Sequence, residues 1–214
     1  MSPLSQYYLY DDAGGLEQDL RAYLDEHYFR RLENLDRPNP KLLVVFSGGN
    51  AIGKTTISNK IREKFGALVI ENDAIKRQLL KRMPNLDRAG LNQLTWQYTM
   101  DLYERLDELT PNGLIVRDGV IDWYYDRILP VFEKMGYPLF IIGFDITRKK
   151  ATELIKKRGD TSTVKEERLY QLLDDHEVHI SRFRKDYTPD IILTDATLFD
   201  HHLVLAALKQ QLGS

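Results

Sequence analysis

A glycine-rich segment between an apolar run and a helical pattern is the feature that most constrains how this chain folds. Leu42–Phe46 is continuously apolar and rich in β-branched and aromatic residues, as expected of a strand covered on both faces. The segment that follows matches G-x-x-x-x-G-K-T at every specified position, and its residues are Gly48, Gly49, Asn50, Ala51, Ile52, Gly53, Lys54 and Thr55. Ile57, Ile61 and Phe65 then fall near helical spacing, and Gly66 is suited to end the helix. This order predicts a strand, a phosphate-binding loop and a helix.

The composition of the loop has a chemical reason. Small residues let the backbone wrap a polyphosphate, so that N–H groups and the helix N-terminus point at it. Lys54 then reaches the outer phosphates, the Thr55 hydroxyl joins the shell of a bound Mg²⁺, and Thr56 completes the set of nucleotide-binding residues. A chance match to an ordinary glycine turn is the alternative, and the flanking strand and helix argue against it. The segment therefore predicts binding of a nucleoside triphosphate.

Length and composition narrow the class of protein. The 214 residues suit one α/β domain with a small appendage, and the net charge of −2 gives no electrostatic reason to expect a nucleic-acid partner. The absence of cysteine excludes a disulfide framework and suits a reducing compartment. The sequence shows neither the pattern of a signal peptide nor an apolar run of membrane-spanning length. We therefore expect a cytoplasmic protein that does not bind membranes.

Four further strand candidates follow the loop, and helical or loop sequence separates them. They are Ala67–Ile70, Leu114–Val116, Leu139–Phe144 and Ile191–Leu193. This alternation predicts an α/β protein with the three-layer α/β/α fold of P-loop NTPases, built on a five-stranded parallel sheet. Each of these candidates ends at or near an acidic residue. Because ligands bind beyond the carboxyl ends of the strands in such sheets, we expect these carboxylates to lie near Lys54.

The N-terminal region precedes this pattern. Apolar side chains recur at helical spacing from Leu16 to Leu35, and Pro38 and Pro40 break the pattern before the first strand. We therefore expect an N-terminal helical extension over residues 1–40 and a phosphate-loop domain over residues 41–214. Packing of this helix on the core is favoured over a partner-binding arm.

Two carboxylates near strand ends are the candidates for metal and acceptor chemistry. Asp118 follows the third strand candidate, at the position where a Walker-B-type carboxylate holds Mg²⁺ next to the substrate. The alternative is a turn at the end of the strand, because Asp118 and Gly119 together are also suited to a turn. Asp73 opens a predicted helix, either as its N-cap or as the base that accepts the proton of an acceptor hydroxyl. Lys76 and Arg77 follow on that helix and either hold an anionic part of the acceptor or face solvent.

A segment rich in positive charge and small polar residues predicts a helical lid over about residues 148–165. Cations in such a lid offset charge on a transferred phosphoryl group. Arg158 precedes Gly159 and is the favoured candidate for this role. A solvated helix face is the competing interpretation, and it is favoured for Lys149, Lys150 and Lys156.

The histidines and aromatic residues are less informative. His176 and His179 are three residues apart on a predicted helix beside carboxylates, a spacing that suits a metal site. A surface helix is favoured, because a second ligand cluster is not evident in the sequence. Trp123 and its aromatic neighbours either wall an acceptor pocket or pack in the core, and core packing is favoured.

With these elements together, the chain resembles the P-loop kinases of the nucleoside-monophosphate-kinase-like superfamily. The nearest pattern is that of small AAA-type predicted kinases and of zeta-toxin-like and chloramphenicol-phosphotransferase-like enzymes, and it extends from Lys41 to Thr197. Those kinases often carry D-x-(I/V)-R after the second strand, where Asp73 and Lys76 occupy the first and last positions here. The resemblance implies that Asp73 is the acceptor-facing base, with a lysine in place of the usual arginine.

The resemblance also bears on the lid and on the nucleotide base. The family's lid often carries R-x-x-x-R, and here Arg158 matches the second position while Leu154 occupies the first. Arg148 or Lys157 is therefore expected to supply the other cation. In such kinases the loop after the last strand lines the adenine, which implies that ATP contacts Asp195, Ala196 and Thr197.

Sequence and resemblance together predict an ATP- and Mg²⁺-dependent kinase that phosphorylates a hydroxyl of a small-molecule acceptor. The predicted catalytic residues are Lys54, Asp73 and Arg158, and the predicted Mg²⁺ ligands are Thr55 and Asp118. Two alternatives stay open: a nucleoside, nucleotide or polynucleotide 5′-kinase, and a nucleotide-dependent switch or ATPase that is not a kinase. The net charge of −2 argues against a long nucleic-acid substrate, because phosphate contacts need a basic surface.

Overall fold

The computed structural model describes residues 16–31, 39–49, 51–110, 113–160 and 166–213. The chain divides into two compact units. The smaller unit combines Met1–Asn34 with Glu71–Thr110, and the larger unit combines Leu35–Ile70 with Pro111–Ser214. The N-terminal helix therefore belongs to the same compact unit as residues 71–110. The predicted domain boundary at residue 40 stays a prediction.

A parallel sheet of five strands forms the centre of the larger unit, as the sequence predicts. The strands are β1 (Leu42–Ser47), β2 (Leu68–Glu71), β3 (Leu114–Val120), β4 (Leu139–Asp145) and β5 (Ile191–Thr194). Their order across the sheet is β2-β3-β1-β4-β5, so that β1 lies in the middle. All five strands end later than their apolar runs, because each strand continues into the polar residues that follow.

Helices lie between successive strands along the chain. They are α1 (Gln18–His27), α2 (Lys54–Phe65), α3 (Asn72–Arg82), α4 (Arg88–Leu109), α5 (Tyr125–Lys134), α6 (Arg148–Arg158), α7 (Glu166–Asp186) and α8 (His201–Leu212). The predicted N-terminal helix is shorter than its apolar pattern, since α1 is followed by a single 3₁₀ turn over Phe29–Arg31. Within the described ranges, none of these helices combines the length and apolarity needed to cross a bilayer.

The core of the larger unit lies between the sheet and its helices. All six residues of β1 are buried, as expected of a strand covered on both faces. Ile57 and Ile61 of α2 and Val204 of α8 pack into the same cluster as Val44 of β1. Each such fully buried side chain stabilises the fold by about 1.5–3 kcal/mol relative to an exposed one. This packing holds the first turn of α2 at the end of β1.

In the smaller unit, polar side chains join α1 to α4. Tyr98 donates a hydrogen bond to Asp25 at 2.9 Å, and Arg105 donates to both oxygens of Asp25 at 3.1 Å. Arg105 also contacts Asp101 at 2.6 Å, and Asp101 pairs with Arg21 of α1 at 2.6 Å. Burial and the neighbouring Asp25 raise the pKa of the Tyr98 hydroxyl, which therefore stays a donor. α1 is thus held by charge-assisted hydrogen bonds as well as by its apolar face.

Candidate active site

The phosphate loop joins β1 to α2, in the predicted order. Gly48 has φ 139°, and a Cβ there would lie 2.8 Å from Cβ of Phe144, so that only glycine fits. Ala51 and Gly53 also have positive φ, at 61° and 93°, and Gly53 is the N-cap of α2. Asn50, a predicted loop residue, lies outside the described residues. The N-terminus of a helix that starts in this way is suited to bind an anion through its first N–H groups.

Lys54, the first residue of α2, is buried with 8% of its surface exposed. Its ammonium donates a hydrogen bond across the loop to the Gly49 carbonyl. Burial lowers the pKa of Lys54 to about 8, opposed by the charges of Asp118 and Asp122 and reinforced by Arg158 and Arg117. Two carboxylates and two guanidinium groups therefore lie within electrostatic reach of the lysine. A bound polyphosphate would favour the charged form and raise this pKa.

A bulge in β3 positions Asp118. Val116 pairs with Val44, but Val120 already pairs with Phe46, so that β3 has two more residues than β1 over this stretch. The strand does not end before Asp118, as the apolar run suggests, but continues beyond it to Val120. Such a bulge re-aims side chains at the edge of a site. Asp118 is the charge that most strongly raises the pKa of Lys54, so its carboxylate lies within electrostatic reach of the ammonium.

Asp122 is a site residue that the sequence analysis missed. It is 1% exposed, and its Oδ2 accepts a hydrogen bond of 2.8 Å from the Gly48 N–H. Burial raises the pKa of Asp122, although the Ser47 hydroxyl, the Gly48 N–H and the Lys54 ammonium lower it. Within the described part of the chain, Oδ1 and the Ser47 hydroxyl each lack a well-aligned hydrogen bond. The sequence signal that could have identified Asp122 is its position as a second acidic residue shortly after Asp118.

We expect the anchoring by Asp122 to appear in stability measurements. Asp122→Ala leaves the buried Gly48 N–H without its acceptor, which costs about 1–3 kcal/mol of unfolding free energy. Asp122→Asn keeps an acceptor oxygen and should cost much less. Chemical denaturation of both variants, with exposed Asp126→Asn as the control, measures the difference. Equal losses in the Asn and Ala variants would contradict the anchoring role.

The raised pKa of Asp122 also predicts a pH dependence. Because the folded-state pKa lies above the ordinary value of 3.8, the folded protein binds this proton more tightly than the unfolded chain does. The contribution of the protonated carboxyl group to the free energy of unfolding is thus fully present below the ordinary value of 3.8. It is lost as the pH rises through the folded-state pKa. Wild type should therefore lose stability relative to Asp122→Asn as the pH increases from about 4 to 7. A stability difference that is constant across this range would contradict the prediction.

Two arginines were also missed, one buried and one half-buried. Arg117 is 3% exposed, and its Nη1 donates to the Val120 carbonyl at 2.9 Å. Arg184 of α7 donates from Nη2 to the Phe144 carbonyl at 3.0 Å, and its charge lowers the pKa of Asp122. In the described residues, Nε of each guanidinium has no hydrogen-bond partner. One arginine lies within an apolar strand and the other on a polar helix. Nothing in the neighbouring sequence indicates that the two lie near the same site.

The predicted lid is only partly described, because residues 161–165 lie outside the described ranges. α6 ends at Arg158, and Gly159 has φ 62°. Arg158 is exposed, as are Lys149, Lys156 and Lys157, but its charge reaches Lys54 and lowers the pKa of that lysine. Leu154, at the position of the family's first lid arginine, packs against the core cluster of the larger unit. This packing accounts for an apolar residue at that position.

Asp195, predicted to contact adenine, has a defined local partner. Its two carboxylate oxygens accept hydrogen bonds from the Thr147 N–H at 2.9 Å and the Thr147 hydroxyl at 2.6 Å. The Thr147 hydroxyl lowers the pKa of Asp195. Thr197 accepts a bond of 2.9 Å from the Thr194 N–H. These bonds tie the loop after β5 to the start of α6, and the contact of Asp195, Ala196 and Thr197 with adenine stays a prediction.

The predicted acceptor residues lie on α3, in the smaller unit. Glu71 is the N-cap of α3, so Asp73 stands in its first turn and the N-cap interpretation of Asp73 is wrong. Asp73 pairs with Lys76 at 4.0 Å, and Arg77 pairs with Glu71 at 3.8 Å. Burial lowers the pKa of Lys76, while Asp73 opposes this effect. Lys76 is therefore a desolvated cation beside the candidate base.

The two histidines of α7 differ from their predicted setting. His176 is buried, so the interpretation of its position as helix surface is wrong. The Trp123 indole donates a hydrogen bond of 3.3 Å to Nδ1 of His176 and stacks on the ring of His179 at 3.8 Å. No group of three or more potential ligands among the described His, Asp and Glu residues could hold a metal ion. The spacing of apolar residues does not predict that His176 is buried, since most residues of α7 are polar.

Comparisons with known proteins agree with this fold. One solved structure is described as the PezAT chromosomal toxin–antitoxin system of Streptococcus pneumoniae; it is 15% identical, with a TM-score of 0.56, covering 80% of this chain and 73% of that chain. The tunicamycin resistance protein of Deinococcus radiodurans is 14% identical, with a TM-score of 0.55 over 79% of this chain and 95% of that chain. A candidate kinase from Chloroflexus aurantiacus is 16% identical, with a TM-score of 0.54 over 82% and 97% of the respective chains. At these low sequence identities, the similarity shows a shared fold and nothing more.

A search of curated proteins found no match. The sequence does match a protein family, described as AAA domain, over residues 43–179. That segment begins in β1, contains the phosphate loop and the β3 bulge, and ends within α7. It therefore includes Lys54, Asp118, Asp122 and Arg158. The chain belongs to the AAA domain family of P-loop proteins.

Proposed function

We propose that this protein is an ATP- and Mg²⁺-dependent kinase that transfers the γ-phosphoryl group to a hydroxyl of a small-molecule acceptor. The observation that carries the proposal is the setting of Lys54. It is a buried lysine at the start of α2, with Asp118 and Arg158 both within electrostatic reach. A cation at that place offsets charge on the outer phosphates as the phosphoryl group moves.

Thr55 and Asp118 would hold the metal ion. A hydroxyl and a carboxylate are the hard oxygen ligands that Mg²⁺ takes, and phosphate oxygens and water complete its shell in such sites. The effect of Asp118 on the pKa of Lys54 supports this assignment, because it requires the carboxylate to lie within electrostatic reach of the phosphate-loop lysine. When bound, Mg²⁺ supplies neutralisation of the β- and γ-phosphates.

Asp73 would act on the acceptor. As the acceptor oxygen bonds to the γ-phosphorus, the bond from that phosphorus to the bridging oxygen of ADP breaks. The proton of the hydroxyl passes to the Asp73 carboxylate. Lys76 beside it, desolvated and at 4.0 Å from Asp73, supports an acceptor that carries a negative group. Arg77 is paired with Glu71 at 3.8 Å and is a weaker candidate for that contact.

Thermal unfolding in the presence of ligands tests the proposal. Wild type should be stabilised by ATP with Mg²⁺, and further by those hydroxyl-bearing anionic metabolites that are acceptors. A ligand at a hundred times its Kd adds about 2.7 kcal/mol, which raises the Tm of a protein of this size by roughly 5–10 °C. GTP with Mg²⁺ measures base preference. The proposal fails if no nucleoside triphosphate raises the Tm.

Arg158 is expected to act in the transition state. Arg158→Ala should lower kcat by roughly a hundredfold or more while changing the Kd of ATP much less, because the contact forms as charge develops on the phosphoryl group. Arg158→Lys should restore little activity, since the planar guanidinium is lost. Steady-state kinetics and ATP titrations measure both constants.

The nearby Lys156→Ala is the matched control for Arg158. Lys156 is exposed in the last turn of the same helix, and its replacement should have a small effect. Similar, small losses in Arg158→Ala and Lys156→Ala would show that Arg158 is not the lid cation, and Arg148 and Lys157 would be tested next.

A further inference from the structure

The side chain of Tyr28 joins the N-terminal helix to the start of α3, within the smaller unit. Tyr28 is the C-cap of α1 and is 4% exposed. Its hydroxyl oxygen accepts a hydrogen bond of 2.8 Å from the backbone N–H of Glu71, the N-cap of α3. The ring lies edge-on to Tyr98 of α4, with a centroid distance of 6.1 Å and an interplanar angle of 77°. Tyr28 therefore contacts both α3 and α4 from the end of α1.

The bond from Tyr28 takes the place of one that a helix often makes within its own sequence. In a capping box, the N–H of the N-cap residue bonds to a Glu or Gln side chain at the third helical position. The third residue of α3 is Ala74, whose methyl group cannot accept a hydrogen bond. Here the acceptor comes from α1 instead, so the N-terminal helix contributes to the start of α3.

The first residue of α3 is also held in place. Asn72 accepts a hydrogen bond of 3.3 Å at Oδ1 from the Thr99 hydroxyl of α4. Asp73 follows directly, and the Lys76 ammonium lies 4.0 Å from its carboxylate. Because α3 is one continuous helix, the position of its first turn sets the positions of both charged side chains. Tyr28 bonds to the residue just before Asn72, and it therefore fixes the backbone that leads into Asp73.

A second tyrosine of α1 contacts α3 at a different place. The Tyr23 hydroxyl donates a hydrogen bond of 3.4 Å to the Gln78 carbonyl, and Cζ of Arg82 lies 5.6 Å from the centroid of its ring. Both contacts lie more than a helical turn beyond Asp73. Tyr23 and Tyr28 thus make the same kind of bond from one helix to another, but only that of Tyr28 is beside the candidate base.

We propose that Tyr28 is a positioning residue for phosphoryl transfer, whose hydroxyl holds the start of α3 so that Asp73 meets the nucleophile in the productive geometry. The inference rests on the proposed function, because it needs Asp73 as the base. It also gives a role to α1, which precedes the segment that matches the protein family. A misplacement of about 1 Å can lower a rate roughly a hundredfold, so a single hydrogen bond at this place is enough to affect turnover.

Tyr28→Phe removes the acceptor oxygen and keeps a ring that can pack against Tyr98. The probe is water, whose attack on ATP gives ADP and phosphate and whose proton Asp73 would accept. With Mg²⁺ present, the rate of ADP formation should fall roughly tenfold to a hundredfold in this variant. The Kd of the nonhydrolysable analogue AMPPNP should not change. Exchange of the Glu71 amide hydrogen, measured by NMR, should become faster, because the bond to Tyr28 protects it.

Tyr23→Phe is the matched control. It removes a tyrosine hydroxyl of the same helix whose bond to α3 lies away from Asp73, so the rate of ADP formation should stay at the wild-type value. Thermal unfolding of both variants shows whether any loss of rate comes from unfolded protein. A similar fall in rate in both variants would show that α1 only stabilises α3 as a whole, and would overturn the specific role of Tyr28.

Two double variants test whether Tyr28 acts through Asp73. Adding Tyr28→Phe to Asp73→Asn should lower the rate no further, because the carboxylate that Tyr28 positions is already gone. Adding Ala74→Gln to Tyr28→Phe should restore most of the rate, because this side chain can accept from the Glu71 N–H as in a capping box. Independent, multiplicative losses in the first double variant would overturn the inference. So would a rate that stays low in the second while the protection of the Glu71 amide returns.

The outcomes also distinguish this inference from the proposed function. Wild type that does not bind AMPPNP would overturn the proposed function, and the role of Tyr28 with it. Wild type that binds AMPPNP, and whose rate is lowered by Asp73→Asn but not by Tyr28→Phe, would overturn only the role of Tyr28. An exchange rate of the Glu71 amide that Tyr28→Phe leaves unchanged would overturn the inference whatever the activity.

Discussion

Replacing Lys54 by methionine should abolish phosphoryl transfer while the protein keeps its fold. Methionine has nearly the length of lysine and fills the same buried position without a charge. Burial lowers the pKa of Lys54 to about 8, which means that the buried ammonium costs free energy that an apolar side chain does not. The variant should therefore unfold at the same temperature as wild type or higher. Its turnover should fall by at least about a hundredfold to a thousandfold, the usual effect of removing one transition-state donor.

The control for this variant is Lys60→Met on the same helix. Lys60 is exposed and pairs with Glu63 at 2.9 Å, so its replacement should change neither turnover nor ATP affinity. The measurements are initial rates of ADP formation and thermal unfolding of both variants. A Lys54→Met protein with native Tm and wild-type turnover would refute the role of the phosphate loop.

Replacing Asp73 by asparagine should lower turnover with the acceptor by roughly two to four orders of magnitude, the usual span for a general base. The amide keeps the shape of the side chain but cannot take the proton. ATP affinity should hardly change, because the proposed contact is with the acceptor. The stability cost should be small, since Glu71 and not Asp73 is the N-cap of α3. A carboxylate in the first turn contributes only about 0.3–1 kcal/mol through the helix dipole.

Glu104→Gln is the matched control for Asp73→Asn. Glu104 is an exposed carboxylate on α4 of the same unit, and its loss should leave kinetics and stability unchanged. The pair is compared by steady-state kinetics with acceptor and by ATP titration. If Asp73→Asn loses stability without losing turnover, the carboxylate has a structural role and another base must be sought.

Prediction from the sequence succeeded where the information is local. The phosphate loop is a contiguous motif, and its glycines match backbone conformations that other residues rarely adopt, such as φ 139° at Gly48. The strands are apolar runs in a βα alternation, so the five-stranded parallel sheet could be predicted before any contact was known. The C-terminal end of β3 could not be predicted, because a bulge depends on the partner strand and not on the residues that bulge.

The sequence alone determined that this chain is a P-loop protein, since the loop and its flanking strand and helix follow from neighbouring residues. Only the tertiary structure decided which distant side chains join Lys54. Asp122 and Arg117 were missed, and the burial of His176 was not predicted, because each is a polar residue in a local pattern that predicts a turn, a strand or a surface helix. Their burial is decided by what packs over them, and that depends on residues far away in the chain. Helical periodicity indicates which residues share a face, but it does not indicate what covers that face.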